Sequence, residues 1–215
     1  MKKLLVLSLI LSYSISASSK GLNTLCEELS DCIAKESTLT GNQYLSDQKL
    51  KGKAFSTSGI KLNKENATNL LTIVLSANGY TRVKVSDKLY RIVSKRDIRY
   101  QATPMTKASF NHAPNIKANM DFNLLSYKLK SKYTANRIMR TLRPFMSRYG
   151  RVTFSHASGI LFLQDAGLNV IRLYKVIKEM DVKLTKSEEK RIIHEMKRER
   201  RKQKKHPKDS SMGKK

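Results

Sequence analysis

Residues 122–181, FNLLSYKLKSKYTANRIMRTLRPFMSRYGRVTFSHASGILFLQDAGLNVIRLYKVIKEMD, decide the fold, because strand and helix periods alternate across them between clear turn signals. Asn123 to Leu129 reads as a strand. Thr134 then stands as the N-cap of a helix that places Ala135, Ile138, Met139, Leu142 and Phe145 on one face. Arg143-Pro144 falls near its end, where proline is tolerated because the helix is finishing or kinking. Gly150 turns the chain into a strand over Val152 to Ser155, residues 156–159 turn it again, and Ile160 to Gln164 is a strongly apolar strand. Asp165 or Asn169 starts a last helix, with Val170, Leu173, Tyr174 and Ile177 facing the sheet and a close at Met180-Asp181. The order β-α-β-β-α is that of a KH-like unit, and the class is α+β.

A second small unit lies upstream, over residues 20–97. Leu22 to Ile33 carries Leu22, Leu25, Cys26, Leu29 and Ile33 at helical spacing. Gly41 allows a turn into Gln43 to Leu45, and Gly52 separates this from a short strand over Ala54 to Thr57. Asn63 can cap a helix whose face is Ala67, Leu70, Leu71, Val74 and Leu75, with Gly79 after its end. Thr81 to Val85 and Leu89 to Val93 form a hairpin across residues 86–88. The chain length suits two such two-layer domains of about 60 to 80 residues, each with a modest core. Residues 98–120 read as a linker between them, since they hold Pro104 and Pro114 and show no sustained apolar period.

The ends of the chain read differently. Lys2 and Lys3 precede the apolar run Leu4 to Leu11, followed by Ser14, Ser16 and Ala17, so residues 1–19 read as a signal peptide cleaved near Ala17 to Lys20. The run is shorter than the roughly 20 residues of a membrane span, which disfavours a retained anchor. Cys26 follows Asn23-Thr24-Leu25, which is not a lipidation signal. An exported chain permits a disulfide between Cys26 and Cys32. On one continuous helix, however, six residues separate the two by about 9 Å of rise. A helix with buried thiols is therefore favoured over a bridge.

The formal net charge is +26, so any partner met through long-range attraction is anionic: nucleic acid, lipid or lipopolysaccharide, or an acidic protein. Residues 182–215 form a basic tail of 14 Lys and Arg against 5 Asp and Glu. Its stretch Ser187 to Lys202 suits a helix, with Glu188 and Glu189 at the start and basic residues toward the end. The remainder has the composition of a disordered segment. No catalytic constellation stands out. His112, His156, His194 and His206 are scattered, and no HExxH, Gly-x-Ser-x-Gly or phosphate-binding glycine loop is present. No catalytic, cofactor or metal role is assigned to any residue. A KH-type nucleic-acid clamp needs a Gly-x-x-Gly loop, and none occurs between Phe122 and Asp181.

Both units resemble the periplasmic N-terminal domains of bacterial secretins, the ring-forming outer-membrane gates of type II and III secretion and type IV pili. In the first unit the resemblance is carried by Gly41, Asp47, Lys51-Gly52-Lys53, Asn63 to Leu75, Gly79-Tyr80 and Arg91-Ile92-Val93. In the second it is carried by Leu142-Arg143-Pro144, Gly150, Ala157-Ser158-Gly159, Leu161-Phe162-Leu163, Asp165 and Met180-Asp181. It departs at the front, where the strand before the first helix would fall in the short, polar stretch Ser18 to Asn23, and at the hairpin, where Gly159 precedes Ile160. First domains of this type also occur in signalling receptors of iron-uptake transporters.

The resemblance implies a non-enzymatic periplasmic scaffold or accessory of a secretion or pilus channel, associated with the outer membrane and packing on secretin or other channel subunits or on its own copies. The pore of a secretin would need long amphipathic strands after Asp181, and residues 182–215 do not supply them. Lys51, Gly52 and Lys53, with Arg137, Arg140 and Arg143, are the expected partner-binding residues, although arginines three apart on a helix are also what a solvated face looks like. The alternative is a basic periplasmic protein that binds nucleic acid or the anionic envelope surface, with the tail as its contact.

Overall fold

The computed structural model describes residues 23–26, 28–56 and 59–205, and its elements form two α+β units. The first contains β1 (Asn23–Cys26), α1 (Leu29–Thr40), β2 (Gln43–Ser46), β3 (Ala54–Ser56), α2 (Ala67–Ala77), β4 (Tyr80–Ser86) and β5 (Leu89–Ser94). β1 and β3 pair antiparallel, and a second sheet runs β2-β5-β4, with β2 parallel and β4 antiparallel to β5. Leu71, Val74 and Leu75 recur at helical spacing on α2 and join Leu29, Ala54 and Ile92 in one core fed by both helices and both sheets.

The front of this unit differs from the sequence expectation. Leu22 to Ile33 is not one helix: Asn23–Cys26 is a strand, and the helix starts at Leu29. Backbone N–H of Glu28 donates to Asp31 Oδ2 at 3.3 Å, and Leu29 N–H donates to the Gly52 carbonyl at 3.0 Å, so the chain changes direction there. That change brings the Cα atoms of Cys26 and Cys32 to 5.4 Å, and the two form a disulfide. Cys26 and Cys32 do not share a helix axis, so the rise expected along a single helix does not separate them and a bridge replaces the buried thiols. Both are buried and belong to the core. The helix after residue 60 also begins later than Asn63. Asn63 and Asn66 each accept the other's backbone N–H at 2.9 Å, and the helix follows at Ala67.

The second unit contains β6 (Met105–Ala108), β7 (Phe122–Lys128), α3 (Ala135–Leu142), β8 (Arg151–Ser155), β9 (Ile160–Ala166) and α4 (Gly167–Met180). Its sheet runs β6-β7-β9-β8. The order β7-α3-β8-β9-α4 is the β-α-β-β-α of the sequence reading, and Leu125, Tyr127, Ile138, Leu142, Leu161, Leu163, Leu173 and Ile177 fill its core. α4 starts at Gly167 rather than at Asp165 or Asn169, because Asp165 still pairs with Asn123 in the sheet.

Residues 98–120 are more than a connector. A 3-10 helix over Lys95–Tyr100 buries Ile98, and Met105–Ala108 adds a parallel fourth strand to β7, from Met105 opposite Leu124 to Ala108 opposite Tyr127. The strand is four residues long and buries only Ala108, so it has no apolar period to read. After α4 the chain forms α5 (Lys186–Lys205), longer than the Ser187 to Lys202 expected. Thr185 and Glu188 make a reciprocal capping pair: Thr185 N–H donates to Glu188 Oε2 at 2.8 Å and Glu188 N–H donates to Thr185 Oγ1 at 3.3 Å. These bonds, the backbone one foremost, hold the Glu188 carboxyl below its ordinary range. The signal-peptide reading of residues 1–19 and the disorder expected over 206–215 lie outside the described residues.

The disulfide closes a short loop, six residues apart in sequence. The double variant C26A/C32A is expected to lose about 2 kcal/mol of unfolding free energy from loop closure alone. Urea unfolding followed by far-UV circular dichroism measures it, and an unchanged midpoint would exclude a stabilising bridge.

Candidate protein-interaction surfaces

The two units meet around Arg82, whose place on β4 turns its guanidinium inward at 4 % exposure. Its Nε lies 3.0 and 3.1 Å from the Asp121 oxygens, and Nη2 donates to Asp121 Oδ2 at 3.0 Å. Nη1 donates to the Tyr44 hydroxyl at 2.8 Å and stands 3.9 Å from Glu36 Oε1. Glu36, fully buried on α1, also accepts from Tyr44 Oη at 2.7 Å, Asn42 Nδ2 at 2.8 Å and Thr68 Oγ1 at 2.9 Å. Asn119 Nδ2 completes the cluster by donating to Asp121 at 2.9 Å.

The electrostatics follow from this packing. Burial pushes the Tyr44 hydroxyl up, and its bond to Glu36 pushes it further, so it stays a neutral donor. Burial works against the Arg82 charge, but the charge and hydrogen bonds of Asp121 outweigh it and hold the guanidinium protonated. At Asp121 burial raises the carboxyl and Arg82 opposes that rise. An apolar patch adjoins the cluster: Phe122 of β7 packs with Val83, Val93 and Ile98, and with the partly buried Tyr149. Met120 N–H donates to Thr72 Oγ1 of α2 at 3.3 Å. This junction fixes how the exposed faces of the two units are presented together.

The expected partner-binding residues fall in two separate places. The backbone of residues 51–53 is used internally: Lys51 N–H reaches the Tyr80 hydroxyl at 3.4 Å, and Asn78 Nδ2 donates to the Lys53 carbonyl at 3.2 Å. Gly52 has φ +146, and a Cβ there would collide with the Asn78 side chain, so glycine is required by packing. The Lys51 and Lys53 side chains are exposed. In the second unit Arg137 and Arg140 are exposed on α3 and line a groove against α5, together with Arg191. Arg143 is exposed too, but it lies in the 3-10 turn Arg143–Phe145, outside that groove. Arg82, Glu36 and Asp121 were not anticipated. Arg82 and Lys84 are two positions apart in the same strand, and nothing local in the sequence tells that Thr81 to Val83 are buried while Lys84 to Ser86 are exposed.

Among the described residues no group of three or more His, Cys, Asp or Glu side chains is placed to hold a metal ion. Among them also, no helix is long and apolar enough to cross a membrane.

No family model matches the chain. Secretin XcpQ of Pseudomonas aeruginosa is 22 % identical over 162 residues, 75 % of this chain and 23 % of that protein. This chain therefore spans about a quarter of the relative's length. A chain of the Klebsiella pneumoniae type II secretion system outer membrane complex, described as holding PulD, PulS and the PulC HR domain, superposes with a TM-score of 0.59. It is 17 % identical, over 74 % of this chain and 26 % of that one. The chain is similar to the N-terminal domains of secretins. A crystal structure of the XcpQ N-terminal domain aligns over 76 % of this chain and 66 % of its own, at 20 % identity and a TM-score of 0.30.

Several secretin-like motif residues have clear structural duties. Asp165, fully buried, accepts backbone N–H of Ser147 at 2.8 Å and of Ala166 at 2.7 Å, and Asn169 Nδ2 at 2.7 Å. Gly150 lies against this carboxylate so closely that a Cβ would strike it. Asp181 accepts the Tyr127 hydroxyl and the Lys130 N–H, each at 2.9 Å, and so ties the end of α4 to the end of β7. Burial and this bond raise the Tyr127 hydroxyl well above its ordinary range.

Arg82→Met leaves Glu36 and Asp121 without their cation and is expected to cost about 3–5 kcal/mol in urea unfolding. A loss under about 1 kcal/mol would mean that the junction does not depend on the pair. Gly52→Ala is expected to cost about 1–3 kcal/mol through the strained φ and the collision with Asn78. Lys51→Ala and Lys53→Ala should each stay within about 0.5 kcal/mol of the parent in the same measurement.

Proposed function

We propose that the protein is an exported, non-enzymatic scaffold that packs on subunits of an outer-membrane secretion channel. The observation that carries this is the extent of the likeness to secretin XcpQ: 162 residues is longer than either unit, so the similarity runs through both. The fold likeness to a chain of the Klebsiella complex supports it, since that complex is described as holding a secretion-system assembly. Channel subunits of this kind, or further copies of the chain, are the partners.

Outer strands supply the means of packing. β2 and β4 bound the three-stranded sheet, and β6 and β8 bound the four-stranded one, so each has edges at which backbone N–H and C=O groups can meet a neighbour. The exposed Lys51, Lys53, Arg137, Arg140 and Arg143 then act at the rims of such contacts, where charge selects partners and speeds encounter. The signal-like residues 1–19 support export of the protein to the periplasm. The net charge of +26 supports a second reading, in which the protein coats anionic envelope or nucleic acid without a specific protein partner.

A crosslinked pull-down of the C-terminally tagged protein from detergent-solubilised envelope separates the two. A secretin or its inner-membrane partner is expected to survive high salt and nuclease. Recovery of only lipid or nucleic acid, removed by salt, would replace the scaffold with the anionic-surface reading. The triple variant R137A/R140A/R143A is expected to recover several-fold less partner, and full recovery would remove those arginines from the contact.

A further inference from the structure

We propose that the groove between α3 and α5 receives an acidic segment of a partner protein, its apolar side chains on the groove floor and its carboxylates on the arginine rim. The groove holds about 450 Å³. Leu184, Ile192 and Met196 reach into it from the α5 side and are only half-buried. Arg137 and Arg140 of α3 and Arg191 of α5 stand around it, all three exposed, and Glu195 is the one carboxylate in the lining. Among the described residues none of these three arginines has an ion-pair partner, whereas Arg82 and Arg91 each do.

The recess is built by the fold rather than by loose side chains. The capping pair Thr185–Glu188 starts α5 in place, and Ser131 Oγ donates to Glu189 Oε1 at 3.2 Å, holding the first turn of α5 to the 3-10 turn that leads into α3. The apolar residues of α5 at 192 and 196 then face α3 four residues apart, one helical turn. A recess with an apolar floor and three exposed guanidinium groups, of which Arg191 also acts on the Glu188 carboxylate, is complementary to a segment that mixes apolar and acidic residues, because the guanidinium fork donates to a carboxylate in two-point contact. Asn136 and Thr141 on the α3 side add groups that pair with peptide amides and have no counterpart in an acyl chain. That the occupant is a protein rests on the scaffold role proposed above.

The test uses the full mature chain at physiological ionic strength and two fluorescein-labelled peptides of equal charge, one of repeated Glu-Glu-Leu triplets and one of repeated Glu-Glu-Ser triplets. The Leu peptide is expected to bind about tenfold more tightly by anisotropy, since only it fills the floor. R137E/R140E should abolish that difference, whereas K35E/K64E, the same change in charge on the other unit, should preserve it. Met196→Trp, which fills the floor without altering charge, should also abolish it. Circular dichroism confirms that each variant folds.

Equal binding of the two peptides, or equal weakening by the two charge variants, would overturn the groove in favour of general attraction to a basic protein. Tight binding of phosphatidylglycerol vesicles or single-stranded DNA that R137E/R140E removes, without a Leu-peptide preference, would make the occupant a phosphate-bearing surface and overturn it too. The envelope pull-down keeps the two proposals apart. A persisting Leu-peptide preference with no channel subunit recovered sinks the scaffold and leaves the groove, and the reverse pair of results sinks the groove alone.

Discussion

The arrangement of the two units depends on one buried cation shared by two carboxylates. Arg82 of the first unit is held by Asp121, just before β7 of the second, and stands beside Glu36 of its own. Taking such groups out of water costs several kcal/mol per ion, and the attraction between them offsets that cost only when the geometry is good and the remaining lone pairs are filled. Here they are filled by neutral donors: Tyr44, Asn42 and Thr68 on Glu36, and Asn119 on Asp121. Separating the units would strand a charge on each side, so the network resists hinge motion more than it adds to net stability. The apolar cluster around Phe122 lies against the same junction and contributes the area term that ion pairs lack.

A second constraint is charge. The chain carries 43 Lys and Arg against 17 Asp and Glu, and several of those carboxylates are spent inside the fold. Glu36, Asp165 and Asp181 are buried, each taken up by donors that position a turn or a helix end. The surface is therefore more positive than composition alone suggests. Self-repulsion of that surface works against compactness, and small units have little apolar area to spare against it. The Cys26–Cys32 bridge acts on this problem from the unfolded side, by restricting the denatured chain at the front of the first unit.

The second unit was legible because its signals are local and mutually consistent. Ala135, Ile138 and Leu142 share a helix face, Ile160 to Gln164 is apolar enough to require a central strand, and glycines mark the turns between them. What escaped the sequence was set by partners distant in the chain. Met105–Ala108 becomes a strand only because β7 offers an edge, and Asn23–Cys26 only because β3 does. The cysteine spacing misled for a related reason: the bridge depends on a change of direction at Glu28 fixed by Gly52, a residue over twenty positions away. At the candidate surfaces the sequence pointed to exposed arginines. It gave no sign that Arg137 and Arg140 would share a recess with the tail, since that juxtaposition needs α5 to fold back beside α3.

The position of α5 narrows how such a unit can pack. A β-α-β-β-α unit has two kinds of surface to offer a neighbour, the exposed sides of its helices and the outer strands of its sheet. In this chain α5 lies beside α3 and is tied by Ser131 and Glu189 to the 3-10 turn that leads into it, so a neighbour approaching α3 meets the tail helix and the arginine-lined recess instead of a bare helix face. At the opposite end of the sheet order, β6 extends β7, so the edge that the three strands of the β-α-β-β-α reading would leave at β7 is already occupied. β8 remains an outer strand without such a cover from β6. Its alternating exposure, with Arg151 and Thr153 exposed and Val152 and Phe154 half-buried, suits strand pairing in which one side chain in two meets the core. On the scaffold reading proposed above, β8 offers backbone pairing and the α3–α5 recess offers charge, two faces that one partner need not share.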